Sequence, residues 1–224
     1  MAKLIAGVDD AGRGPIIGPL VIAGVLLAAE HERELLAMGV KDSKLLTPSV
    51  RTQLSGRIRA LASKVSVAEV QPKEIDEVVL HAGKLHKLNF LEAKLMARVL
   101  AELSPEEAYV DASDVNEGRY GENIRELLPD NLRNIKLISE HHADRTYPVV
   151  SAASIIAKVR RDEAVGALRA EYGDFGSGYM TDPKTLDFLK EWRRTHREYP
   201  PIVRLSWKTI KEIERDFNQS RLGA

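Results

Sequence analysis

The stretch Leu4-Ile5-Ala6-Gly7-Val8-Asp9-Asp10-Ala11-Gly12-Arg13-Gly14-Pro15 decides how this chain is read. Leu4–Val8 is an apolar run, and Lys3–Val8 reads as a strand. Two aspartates follow where that strand ends. Adjacent carboxylates repel, and only protonation or a cation relieves them. A metal ion suits the surroundings. Gly12 and Gly14 let the backbone come close to another molecule, and the Arg13 guanidinium forks onto a phosphate or a sugar edge. Successive strand side chains point to opposite faces, so both aspartates reach one site only if the strand ends or bulges there. The glycines are not a dinucleotide-binding loop. That fingerprint opens a helix, and Pro15 and Pro19 oppose a helix here.

Working outward, Ile16–Ala28 reads as one or two strands bent at Gly18-Pro19. A short helix is expected over Glu30–Met38. Thr47-Pro48 supplies an N-cap and a first-turn proline for a helix ending near Ala62. Lys64–Val70 alternates as a strand, Pro72–Val79 reads as a short helix, and Leu88, Leu91, Leu95, Val99 and Leu103 mark an amphipathic helix over Lys87–Leu103. Strands follow at Ala108–Asp111 and Asn134–Ser139, with a helix at Gly121–Leu128 between them. A long alanine-rich helix covers Val149–Glu171, a glycine loop covers Gly173–Pro183, and helices at about 184–195 and 206–217 close the chain. Consecutive strands followed by strands alternating with helices give an α/β class, a mixed sheet flanked by helices. A body over 1–180 and a small helical C-terminal piece over 181–224 are expected.

The 224 residues suffice for one sizeable domain, 44% hydrophobic and 29% charged. No apolar run approaches a membrane span, and no signal peptide is expected. The absence of cysteine excludes disulfides and thiolate metal sites and fits a cytoplasmic protein. Formal net charge is zero, which by itself argues against a polyanion partner. Residues 184–215 nevertheless carry nine Lys/Arg against five Asp/Glu. Alone, that excess reads as a solvated helical face.

Acidic residues recur at strand ends: Asp9 and Asp10, Asp111, and Asp144 after the strand at Asn134–Ser139. Ligand sites in α/β sheets gather there. Four carboxylates without histidine or cysteine select Mg²⁺ or Mn²⁺. A pair of such ions, roughly 3.5–4 Å apart, serves phosphoryl displacement. Taken singly, Asp111 or Asp144 reads as a turn-forming aspartate.

These residues resemble type 2 ribonuclease H (ribonuclease HII). The matching blocks are Val8–Pro15, Lys41-Asp42-Ser43-Lys44-Leu45, Leu88-Asn89-Phe90-Leu91-Glu92, Val110–Ser113, Ala143-Asp144, Tyr147–Lys158 and Gly176-Ser177-Gly178-Tyr179. The tail Pro200–Lys208 is similar to the archaeal branch. The resemblance implies a ribonuclease H-like catalytic domain over 1–180 and a C-terminal helical substrate-binding subdomain over 181–224. It implies an endonuclease that hydrolyses the RNA strand of RNA–DNA hybrids. It also implies cutting 5′ of single ribonucleotides in duplex DNA, with two metal ions, leaving a 3′-hydroxyl and a 5′-phosphate. The metal-holding catalytic acids fall on Asp9, Asp10, Asp111 and Asp144. Substrate-binding positions fall on Gly12, Arg13 and Gly14 (through backbone groups to the ribose 2′-hydroxyl), on Ser43 and Lys44 near phosphates, on Asn89 in the groove, and on Tyr179 against a sugar. The implied partners are hybrid or ribonucleotide-containing duplexes and no membrane, and a monomer is expected. A sliding clamp is a candidate partner, although Gln219–Ala224 lacks the aromatic pair of a clamp-binding box.

One position departs from the family pattern, where the second acid is glutamate and here is Asp10. The shorter arm withdraws the carboxylate by roughly one carbon–carbon bond, about 1.5 Å, so Mg²⁺-supported turnover is expected below that of Asp10→Glu. The alternative function is a weakened or inactive hybrid-binding protein. A third reading is another nuclease of the same superfold, such as a resolvase or an exonuclease. Among other residues, His141-His142 read as structural and Trp192 and Trp207 as packing. Lys158 to Arg161 read either as phosphate contacts or as a wet helix face, with Asp162 and Glu163 pairing to Arg160 and Arg161. Arg13, between two glycines, is expected to touch substrate.

Overall fold

The structure is a computed structural model and describes residues 2–40, 46–81 and 87–222. Five strands form one mixed sheet: β1 (Leu4–Ala11), β2 (Leu20–Ala28), β3 (Lys64–Val70), β4 (Glu107–Asp111) and β5 (Lys136–Glu140), in the order β3-β2-β1-β4-β5. The first three strands pair antiparallel, and β4 and β5 run parallel to β1. The parallel pairs need crossovers, and helices supply them.

Helices cover both faces. They are α1 (Glu32–Met38), α2 (Pro48–Leu61), α3 (Pro72–His81), α4 (Lys87–Leu103), α5 (Glu117–Leu127), α6 (Ala143–Thr146), α7 (Pro148–Tyr172), α8 (Pro183–Thr195) and α9 (Lys208–Leu222). Strand alternation sorts the core into two layers. Ala6 and Val8 of β1 pack with Leu91, Met96, Val99 and Leu100 of α4 and with Tyr120 and Ile124 of α5. Ile5 and Ala11 pack on the other face with Val149, Val150, Ala152 and Ala153 of α7 and with Ile58 of α2. Every residue of β2 is buried, as a strand covered on both faces requires. Each fully buried Leu or Ile contributes about 1.5–3 kcal/mol. Gly7 brings the sheet against α7, because a β-carbon there would overlap the backbone of Val149 and Val150.

A third apolar cluster joins the C-terminal piece to the body. Leu189 of α8, Ile202, Val203, and Ile210 and Ile213 of α9 pack on Ile16, Ile17, Val165 and Phe175.

Several expectations needed adjustment. Thr47 caps α2 as expected, accepting from the Val50 amide at 3.4 Å. Helix α5 starts one turn early because the Asn116 side chain caps it. The turn α6, which carries Asp144, was not anticipated, and α9 runs on to Leu222. The main correction concerns β1. The strand does not end or bulge at Asp9, for the register runs unbroken through Asp9↔Ala23, Asp10↔Ile22 and Ala11↔Val21. The antiparallel partner β2 carries the ladder past the charges. Asp9 and Asp10 therefore leave opposite faces of the sheet.

Candidate active site

The two faces meet where one ladder stops. Strand β4 follows β1 only as far as Val8↔Val110 and then continues beside β5 to Asp111↔Glu140. Past Val8 the two strands part, and Asp9, Asp10 and Asp111 are the next residues on either side of the gap. Asp9 is buried, 4% exposed, on the α7 side. Its Oδ1 accepts the Asp10 amide at 2.7 Å, and the Ser154 hydroxyl lies within bonding reach. Burial, and then the negative charges of Asp10 and Asp111, hold its pKa well above the usual carboxylate range. Asp10 faces α4 and accepts from Ser113 Oγ at 3.3 Å. Burial raises its pKa as well, but Arg13 and Ser113 oppose that rise. Asp111 Oδ1 accepts the Ala143 amide at 2.8 Å, which ties the end of β4 to the start of α6, where Asp144 is the next residue. Asp144 is itself buried and lines a cavity of about 660 Å³ with Glu32, Arg33, Tyr147 and Ser151.

Three mutually repelling carboxylates, all oxygen donors, suit a hard divalent cation. Among the described residues, however, no three acidic or histidine side chains stand close enough to ligate one ion as placed. The acids are electrostatic neighbours rather than a closed coordination shell.

The loop after β1 forms the next wall. Gly12 has φ of +90°, and a β-carbon there would lie 2.5 Å from Arg161 Nε and 2.6 Å from the Pro19 carbonyl oxygen, so only glycine fits. The Arg13 guanidinium is turned inward. It pairs with Glu92, and its Nη2 donates to Asn89 Oδ1 at 2.7 Å. Asn89 Nδ2 donates in turn to Asp114 Oδ2 at 2.9 Å, and Asp114 pairs with Arg119. Glu92 and Asn89, one turn apart on α4, thus clamp Arg13. Glu92 is wholly buried, and burial together with Asp10 pushes its pKa up to about 8 against the pull of Arg13. What the loop offers outward is therefore mostly backbone.

Opposite the loop stands a cationic cleft of about 410 Å³. Asp10, Gly12–Gly14, Arg51, Lys158, Arg161 and Tyr179 are among its lining residues. Arg51 pairs with Asp162 at 2.9 Å. Arg161 is 7% exposed; among the described residues its Nε has no hydrogen-bond partner, and its Nη2 donates to the Ile17 carbonyl at 3.5 Å. Its guanidinium lies 5.7 Å from the centroid of the Tyr179 ring. A desolvated cation with so few partners favours an anion in the cleft. Tyr179 is 42% exposed, and its ring borders Gly14.

Measured against expectation, Asp9, Asp10 and Asp111 come together with Asp144 next in line, and Gly12, Gly14 and Tyr179 line one cleft. The side chains of Arg13 and Asn89 are engaged with each other. Ser43 and Lys44 lie outside the described residues. Asp162 pairs with Arg51 rather than with Arg161, while Arg160 binds Glu69 and Glu163. His141 has a structural role, bonding the Asp114 carbonyl at 2.7 Å through Nε2. Trp192 packs on Phe188 and His196. Sequence reasoning passed over Glu92 and Arg204, although both lie inside stretches that resemble the family.

The ribonuclease HII family profile matches residues 6–210. Ribonuclease HII of Methanosarcina barkeri is 46% identical over 223 residues, covering 97% of this chain and 98% of the relative. The crystal structure of ribonuclease H2 from Pyrococcus horikoshii OT3 superposes with a TM-score of 0.88 at 42% identity, covering 96% of this chain and 99% of that one. Ribonuclease HII from Archaeoglobus fulgidus, solved in complex with PCNA, gives 0.81 at 41% identity, covering 92% and 95%. With acids at the parting of two parallel strands, a glycine loop and a cationic cleft beside them, this chain belongs to the ribonuclease HII family, endoribonucleases that act on RNA–DNA hybrids.

Proposed function

We propose that this protein hydrolyses the phosphodiester on the 5′ side of a ribonucleotide, in hybrids and in duplex DNA carrying a single ribonucleotide. The observation that carries the reading is the junction of Asp9, Asp10 and Asp111 with a cleft floored by Arg161 and walled by Gly12–Gly14 and Tyr179. In this reading Asp9, Asp10, Asp111 and Asp144 hold Mg²⁺ or Mn²⁺. When bound, such ions supply an activated water and charge stabilisation at the leaving oxygen.

The chain's own residues do the rest. Backbone groups of Gly12 to Gly14 meet the ribose 2′-hydroxyl, the feature that separates RNA from DNA. The Tyr179 ring packs on the neighbouring sugar. Arg161 and Lys158 take phosphate oxygens, which gives affinity without sequence preference. Residues 181–224 extend the duplex-binding surface. The clamp complex of the Archaeoglobus relative supports testing a sliding clamp as a partner. The alternative of a non-catalytic hybrid binder finds no support in the family relationship.

A duplex with one embedded ribonucleotide tests the proposal. A single nick 5′ of the ribonucleotide, with a 3′-hydroxyl end, is expected in Mg²⁺ or Mn²⁺. A ladder of products, or an uncut duplex, would sink it.

A further inference from the structure

Glycine loops hold their shape poorly, because they have few side chains to pack and much backbone freedom to lose. The loop after β1 is held in another way. Arg204, wholly buried, donates from Nη2 to the Gly12 carbonyl at 2.6 Å and from Nη1 to the Arg13 carbonyl at 3.0 Å. Its Nε and Nη2 also reach the Gly18 carbonyl, at 3.0 and 2.9 Å. Trp207 Nε1 takes the Gly14 carbonyl at 3.1 Å, and the Arg204 guanidinium lies 4.9 Å from the Trp207 ring centroid. One guanidinium and one indole thus occupy all three carbonyls of Gly12-Arg13-Gly14.

The brace is itself anchored. The amides of Leu205 and Ser206 donate to the two oxygens of Asp76 on α3, at 2.7 and 2.9 Å. The Arg204 amide donates to Ile16 at 2.9 Å, and the Gly18 amide to Ile202 at 2.9 Å. Further along the loop, Ile16 and Ile17 donate to Gly178, next to Tyr179, at 2.8 and 3.2 Å. Among the described residues, the amides of Gly12, Arg13 and Gly14 take part in none of these bonds.

We propose that Arg204, seconded by Trp207, is a positioning residue for substrate discrimination: by occupying the loop's carbonyls it makes the loop present N–H donors, so that the site selects an acceptor oxygen at the 2′ position. The inference rests on the functional reading above. Only arginine suits the task, since its planar fork serves several carbonyls at once while a lysine serves one direction at a time.

The test compares full-length wild type, R204Q, R204K and W207F, well below the lowest unfolding midpoint of the four. Two readouts are needed. One is kcat and KM on a duplex with a single ribonucleotide. The other is the binding ratio in EDTA between that duplex and its all-deoxy counterpart. R204Q is expected to lose kcat on the order of 100-fold, as misplacement does, with KM within about 3-fold. Its binding ratio should fall toward unity. R204K should recover part of both losses, and W207F should lose roughly 5-fold, one hydrogen bond's worth. If R204Q does not fold, W207F decides by the same readouts.

The proposal is overturned if the folded variants keep kcat and the binding ratio within about 2-fold of wild type, whatever their melting temperatures, or if the loss appears only in KM. A wild type that discriminates while its variants discriminate equally refutes this inference alone. A wild type indifferent to the ribonucleotide refutes the functional reading first, and this one with it.

Discussion

Asp9 and Asp10 share a peptide bond, yet they occupy opposite faces of one strand and different chemical surroundings. The α7 face is built from small residues, Ala152, Ala153 and Ala157, packed against the sheet, and it offers Asp9 the Ser154 hydroxyl. The α4 face is a polar chain running from Asp10 through Glu92, Arg13, Asn89 and Asp114 to Arg119. Burial acts on both acids, but Arg13 offsets it for Asp10, while Asp9 feels two like charges. A dry face and a wired face therefore set unequal acids at one site, with Asp111 between them.

The largest test removes the shared partner. Asp111→Asn should lower hybrid cleavage by about 1,000-fold or more, with duplex binding retained. Asp144→Asn should do likewise, and a fully active Asp144→Asn enzyme would break the quartet. Next, Arg161→Ala should raise KM roughly 10-fold and reduce the salt slope of binding by about one, read from duplex titrations across ionic strength. An unchanged slope would mean that Arg161 meets no phosphate.

Asp10→Glu sharpens the comparison from the wired side. The longer arm should raise Mg²⁺-supported turnover roughly 5-fold, because ligand placement within a fraction of an ångström governs such sites. Equal or lower activity refutes this.

The smallest effect is on stability. Asp9 and Glu92 have folded pKa values raised above their unfolded ones, Glu92 to about 8. Between those limits the folded state binds more protons than the unfolded, so stability should fall as pH rises from about 5 to 8. In EDTA the melting temperature should drop by a few degrees across that range, about 2–4 °C per kcal/mol. Glu92→Gln and Asp9→Asn should each flatten the curve. A melting temperature that climbs with pH would contradict the assignment.

Much of this was legible in the sequence because its causes are local. The Thr47-Pro48 cap, the leucine stripe of α4 and the alternation of β3 each announce themselves within a few residues. So do the acids, since carboxylates beside apolar strands are costly and therefore conspicuous. The course of β1 was not legible, for the strand continues through two charges only because β2 stays paired beside it. Arg13 was assigned outward because its inward partners, Asn89 and Glu92, lie some 80 residues away on α4. Arg204 looks like any other cation in a positively charged tail. Its partners lie at the opposite end of the chain, and no local pattern reports them. The turn α6 is too short to leave a periodicity.

Arg204 also bears on when this protein becomes an enzyme. The sheet and its acids are complete once α7 has been synthesised, but the brace on the glycine loop arrives about thirty residues later. A nascent or prematurely terminated chain would carry the acidic cluster without the support that tells RNA from DNA. On the proposed reading, discrimination thus waits for the segment that carries Arg204 to emerge and fold.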